Sequence, residues 1–287
     1  MKETSIKRVV ILGTENSHAK AFARLLQQSR SVRLIGAWGA EKAANRSFTR
    51  DFGVPCADTP DAYVSEADGV LITERNGGDP LALARPYLTP GRTVFVDKPL
   101  CNEPREAEQL LALARENRVR LCGGSCMKFA QPLLRLRTLA EAEPGTVVGA
   151  SFSAPVEMQS PYGGFLFYAP HLIEMALTVL RAPIRSVRAV RQGDTVAAML
   201  RYDRFCASLF FGCDAYTAAL SLRSGGKHCE VRLKSIPTLY AKELNHFCRL
   251  LAGSAAEQQD PEELAAHVRV ADAIRRAYET GIEIRLS

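Results

Sequence analysis

The stretch Thr93-Val94-Phe95-Val96-Asp97-Lys98-Pro99-Leu100 carries a lysine placed where chemistry is readily done. Its β-prone residues make a short buried strand, which the acid, the lysine and the proline end abruptly. In an open α/β sheet, ligands occupy the crevice beyond the carboxyl ends of the strands. A lysine there, followed by a residue with no backbone donor, is well placed to face a ligand. A second candidate is the turn Gly13-Thr14-Glu15-Asn16-Ser17-His18, after a strand over 7–12. The helix amides that follow Ser17 offer an anion site, which the helix dipole favours. A third is His171 with Glu174, three residues apart on a helical face, where an acid can fix an imidazole tautomer.

These residues need a frame. Strands over 7–12, 32–37, 69–73, 93–96 and 119–123 alternate with helices over His18–Gln28, Glu41–Phe52, 80–88 and Glu106–Asn117. Asp58-Thr59-Pro60 opens a further short helix. Such alternation predicts a doubly wound parallel sheet. After residue 124 the pattern changes to a helix over Pro132–Ala142, a strand over Thr146–Val156 and a helix over His171–Leu180. Strands over 184–191, 194–202, 205–212, 216–223 and 229–235 then follow at short turns, which predicts a mainly antiparallel sheet. Helices over Leu239–Ala252 and Pro261–Thr280 finish the chain. The reading is α/β plus α+β: a Rossmann domain over 1–123 and an open-faced sheet domain over 124–287. On strand 205–212, Phe205, Leu209 and Phe211 mix with Cys206 and Phe210, so both faces read as apolar. A homo-oligomer built on that sheet, dimer or tetramer, would cover the second face.

The run Asp97-Lys98-Pro99 resembles the Glu-Lys-Pro signature of the glucose-fructose oxidoreductase / inositol dehydrogenase / rhizopine-catabolism family of sugar dehydrogenases, with Asp97 in place of Glu. Arg8-Val9-Val10-Ile11-Leu12-Gly13 is similar to that family's first strand and glycine turn. Asp68 to Asn76 resembles its strand before the nicotinamide, and Gly163 to Glu174 its helix with the catalytic histidine. The resemblance spans nearly the whole chain. It implies NAD or NADP, with Gly13, Thr14, Glu15, Asn16, Ser17 and His18 at the pyrophosphate, and with Thr73, Asn76 and Asp97 also toward the cofactor. It further implies proton transfer by Lys98 and His171. Lys128, Tyr162, Tyr168 and Glu174 would meet a carbohydrate-like substrate.

The pattern departs from the family at three places. Glu15 replaces the second glycine of the nucleotide turn, which normally lets backbone approach the pyrophosphate. Gly39 stands at the tip of the second strand, where an acid would read the ribose; Glu41 could serve instead, or the space at Gly39-Ala40 could admit a phosphate. Phe167 stands where an aspartate would precede the histidine by one helical turn. The choice between NAD and NADP therefore stays open. So does the alternative of a non-redox member that binds a ligand or processes a sugar without oxidation.

Composition sets outer bounds. Hydrophobic content of 47% and charged content of 24% fit a globular protein, and no apolar run reaches a membrane span. The net charge of +6 is spread along the chain without aromatic interleaving, which argues against nucleic acid. Eight scattered cysteines and a start without a signal peptide predict a reduced cytoplasmic protein. His18 and Glu15 lack metal-ligand spacing with Asp79 or His171, so no metal site is expected.

Overall fold

A computed structural model describes residues 6–75, 80–142, 145–233 and 237–286. The chain divides into two compact units, residues 1–124 with 240–265, and 125–239 with 266–287.

In the first unit, β1 (Lys7–Leu12), β2 (Val32–Trp38), β3 (Gly69–Ile72), β4 (Thr93–Asp97) and β5 (Arg120–Gly124) form a parallel sheet in the order β2-β1-β3-β4-β5. Its strands are continuous apolar runs because both faces are covered. The helices are α1 (Ser17–Gln27), α2 (Lys42–Phe52), α3 (Pro80–Ala84) and α4 (Pro104–Glu116). Residues 58–66 are turns, so the helix expected from Asp58-Thr59-Pro60 does not form. Tyr87 explains part of this: its hydroxyl donates to Pro60 O at 2.7 Å and holds the segment as a loop.

Sequence pattern alone assigns 240–265 to the second domain, whereas the structure counts them with the first. The reason is helix α7 (Pro237–Leu251). Its Leu244, Phe247, Leu250 and Leu251 join the buried cluster of Ile11, Phe22, Leu71 and Phe95. Phe95 meets both Phe22 and Phe247 edge to face, at 5.5 and 6.3 Å between ring centres. Burying four such side chains stabilises the unit by roughly 1.5–3 kcal/mol each.

The second unit carries α5 (Gln131–Ala142), β6 (Val147–Ala154), α6 (Phe165–Leu180), β7 (Ser186–Gln192), β8 (Thr195–Arg201), β9 (Cys206–Phe211), β10 (Thr217–Leu222), β11 (His228–Arg232) and β12 (Ile284–Arg285). Helix α8 (Pro261–Thr280) begins in the first unit and ends in the second. The sheet order is β11-β10-β6-β9-β8-β7-β12. Only β6 and β9 pair in parallel among the described strands, so the sheet is mixed but mostly antiparallel. On β9 the expected two-sided apolar strand resolves into alternation. Ala207, Leu209 and Phe211 are buried, while Cys206 and Phe210 lie on the open face. That face also exposes Val190 and Met199, beside Arg188 and Arg201.

Candidate active site

Lys98 follows the last residue of β4, is only 4% exposed, and forms a cis peptide with Pro99. Asp97 organises this strand end. Its Oδ1 accepts the Lys98 backbone N–H at 2.7 Å, and its Oδ2 lies 2.5 Å from His18 Nδ1. The other ring nitrogen, His18 Nε2, is 2.9 Å from the Tyr240 hydroxyl. A carboxylate can only accept, so His18 Nδ1 carries a proton, and Nε2 meets the tyrosine hydroxyl. The result is a Tyr240–His18–Asp97 chain, buried at His18 and Asp97 and half-buried at Tyr240, that ends at the backbone of Lys98. His18, expected at the pyrophosphate, has its ring turned inward, and both nitrogens serve this chain.

The nucleotide turn lies beside it. Gly13 has φ of 105°, and a Cβ there would come within 2.7 Å of Glu74 N, so only glycine fits. Asn16 caps α1, accepting from His18 N at 3.0 Å, while its Nδ2 donates to Thr73 O at 2.7 Å. The buried Thr73 hydroxyl lies 3.1 Å from the carbonyls of Leu12 and Gly13, so it ties the turn to the sheet. Thr14 Oγ1 donates to Asn45 Oδ1 at 2.7 Å. Ser17 is exposed at the start of α1, and exposed Glu41 caps α2 without a side-chain bond. Asn76 and Asp79 lie outside the described residues. Burial, reinforced by the neighbouring Glu74 and Glu41 carboxyls, pushes the Glu15 carboxyl up to about 7. A dinucleotide fits these residues: Gly13 permits close approach, α1 presents its N-terminus, and Glu15 holds buried acceptors that make no ordinary hydrogen bond.

In the second unit, α6 starts at a glycine pair with positive φ, 114° at Gly163 and 56° at Gly164. His171 and Glu174 are both buried, at 5% and 7% exposure. The expected His171–Glu174 partnership is corrected. His171 Nδ1 is 2.7 Å from Ser125 Oγ, whereas Glu174 Oε1 accepts the Ser125 backbone N–H at 2.7 Å. Ser125 Oγ also accepts from Met127 N at 3.2 Å, which fixes the hydroxyl beside the imidazole. Glu174 also pairs with Lys128 at 3.7 Å and lies 3.3 Å from His267 Nδ1. It is an organiser of this unit. Phe167 gives no acid to His171; it packs between Tyr162 and Tyr168, at 5.2 and 5.0 Å. Tyr168 and Tyr216 approach the imidazole at 6.1 Å each. Burial raises the Tyr216 hydroxyl well above its ordinary pKa, so it stays protonated.

Ser125, Tyr216 and Tyr240 escape a reading by motif. Ser125 had one available signal, its place directly after a strand ending in Gly123-Gly124. Tyr240 had none, being 222 residues from His18.

A glycine turn between β1 and α1 in a parallel sheet ordered β2-β1-β3-β4-β5 defines a Rossmann-type fold, and comparison bears this out. Residues 7–125 match the profile of the oxidoreductase family with NAD-binding Rossmann fold, so over this N-terminal stretch the chain is similar to the glucose-fructose oxidoreductase / inositol dehydrogenase / rhizopine-catabolism family. A Salmonella typhimurium candidate oxidoreductase, YceM, is 28% identical over 131 residues, or 46% of this chain and 42% of that one. The matched stretch thus spans less than half of the relative. Scyllo-inositol dehydrogenase from Lactobacillus casei, solved with NAD(H) and scyllo-inositol, superposes with a TM-score of 0.85 at 14% identity, covering 98% and 99% of the two chains. GenD2 of gentamicin A biosynthesis, solved with NAD, gives 0.85 at 16% identity over 100% and 98%. Biliverdin reductase from Synechocystis sp. PCC 6803, solved with biliverdin and NADP+, gives 0.76 at 19% over 95% and 99%.

Proposed function

We propose that this chain is a cytoplasmic, nicotinamide-dependent dehydrogenase of a sugar, polyol or sugar derivative, with Lys98 and His171 handling the proton of the reacting hydroxyl. The observation that carries this is the buried lysine after β4, seated by the Tyr240–His18–Asp97 chain. The nicotinamide, when bound, accepts or delivers the hydride. As the carbonyl forms, the hydroxyl proton passes to the Lys98 amine, and in the reverse direction the Lys98 ammonium returns it to the carbonyl oxygen. His171, held at Nδ1 by Ser125, takes part in the proton exchange through its imidazole. The polar and aromatic side chains Tyr162, Tyr168 and Lys128 suit a hydroxylated ligand, and inositol is the substrate of one structural neighbour. The test pairs thermal-shift binding of NAD, NADH, NADP and NADPH with a turnover screen over inositols, aldoses and their derivatives. At least one dinucleotide should raise the melting temperature, and at least one polyol should reduce the oxidised form. A chain stabilised by none of the four would be a non-redox, ligand-binding relative.

The oligomer proposed on the open face of β7, β8 and β9 rests on Val190, Met199 and Phe210, exposed at 69%, 45% and 42%. Light scattering should give a mass of at least twice 31.4 kDa, and a charge at Met199 should lower it; a monomer at all concentrations would refute this.

A further inference from the structure

Two anomalies of the first unit explain each other. Residue 39 is glycine where an acid would read the ribose, and residue 15 is glutamate where a glycine would admit the phosphates. A Cβ placed on Gly39 would lie 2.8 Å from Glu15 Oε2, 2.2 Å from Thr14 Oγ1 and 2.9 Å from Asn45 Oδ1. The Thr14 hydroxyl and the Glu15 carboxylate thus share the place that a side chain at 39 would take, and the lack of one there makes room for both. The wall of this niche is tied down. Asn45 accepts from Thr14 Oγ1 at 2.7 Å and donates to Gly39 O at 2.8 Å.

Both Glu15 oxygens are buried and make no hydrogen bond of ordinary geometry; the polar groups that perturb them are the residue's own amide and the Glu74 and Glu41 carboxyls. Buried acceptors without donors are costly, so a ligand that brings donors gains from them. A vicinal diol brings two O–H donors to one carboxylate. A 2′-phosphate brings negative charge toward three carboxyls instead. We propose that Glu15 reads the adenosine ribose in this chain, accepting from its hydroxyls and selecting NAD over NADP, in place of the acid missing at residue 39. This rests on the dinucleotide reading above.

The test is fluorescence titration of the full chain with NADH and NADPH, for the natural protein and for Glu15→Gln. The natural protein should favour NADH by about tenfold or more, the worth of one hydrogen bond to a charged group. Glu15→Gln should bring the two affinities to within about threefold of each other. Should the variant fail to fold, displacement of NADH from the natural protein decides: 5′-AMP should compete and adenosine 2′,5′-bisphosphate should not. Equal or reversed preference in the natural protein, an unchanged ratio in Glu15→Gln, or stronger competition by the bisphosphate would overturn the assignment while leaving dinucleotide binding intact. Binding of neither nucleotide would remove both readings together.

Discussion

Lys98 and His171 are both buried and both tethered, but by different chemistry. Lys98 sits beside a carboxylate held at one end by its own amide and at the other by a histidine and a tyrosine. His171 is tethered by a neutral serine hydroxyl, itself fixed through the carboxylate of Glu174 bonded to the Ser125 amide. Hydrogen bonds with a charged partner are worth about 1.5–3 kcal/mol, against roughly 1 for neutral ones. The strand end is therefore the firmer of the two seats, and this chain, with Phe167 one helical turn before its histidine, has its strongest anchoring at the lysine.

The sharpest way to break this comparison is to remove each group. With a substrate in hand, Lys98→Met should cost about 10²–10⁴ in kcat, the usual worth of a general acid–base group, with dinucleotide affinity nearly unchanged. His171→Ala should cost less, and Ser125→Ala less again while altering the pH profile that the imidazole imposes. If His171→Ala matched or exceeded Lys98→Met, the ranking of the two seats would be reversed.

The smallest effect concerns the niche at Gly39. Glu15 holds its proton up to about 7 in the folded chain, against an ordinary 4.5. Between these values the folded state binds more protons than the unfolded one, so stability falls as pH rises through the window, and the loss is complete above about 7. After allowance for its contact with solvent, this amounts to on the order of 1 kcal/mol. Glu15→Gln should therefore melt about 2–4 °C above the natural protein at alkaline pH, with the gap closing toward acid. A gap of the same size throughout would mean that ionisation of Glu15 is not its cause.

Much of this frame was legible in the chain. Apolar runs bounded by turn residues marked every strand of the parallel sheet, because strands covered on both faces leave no polar alternation to confuse the pattern. Gly13 and Lys98 were legible for the same reason, as they end such runs. What escaped was long-range. Ser125 meets His171 across 46 residues and Tyr240 meets His18 across 222, and no local period encodes either meeting. Glu15 was legible as an anomaly but not as a remedy, since only the folded turn brings it onto Gly39. Glu174 illustrates the opposite error: helical spacing put it near His171, yet the nearer backbone N–H of Ser125 claimed its carboxylate.

Helix α7 carries a consequence for the order of events at the ribosome. The first unit starts at the N-terminus, but its core stays open until Leu244, Phe247, Leu250 and Leu251 arrive. Translation at about 5–20 residues per second leaves the nascent sheet waiting on the order of ten seconds for them. Through that interval Phe22 and Phe95 lack part of their cover, and His18 lacks its tyrosine. The part made first is thus completed nearly last, and a chaperone that shields nascent apolar surface would find its main client here.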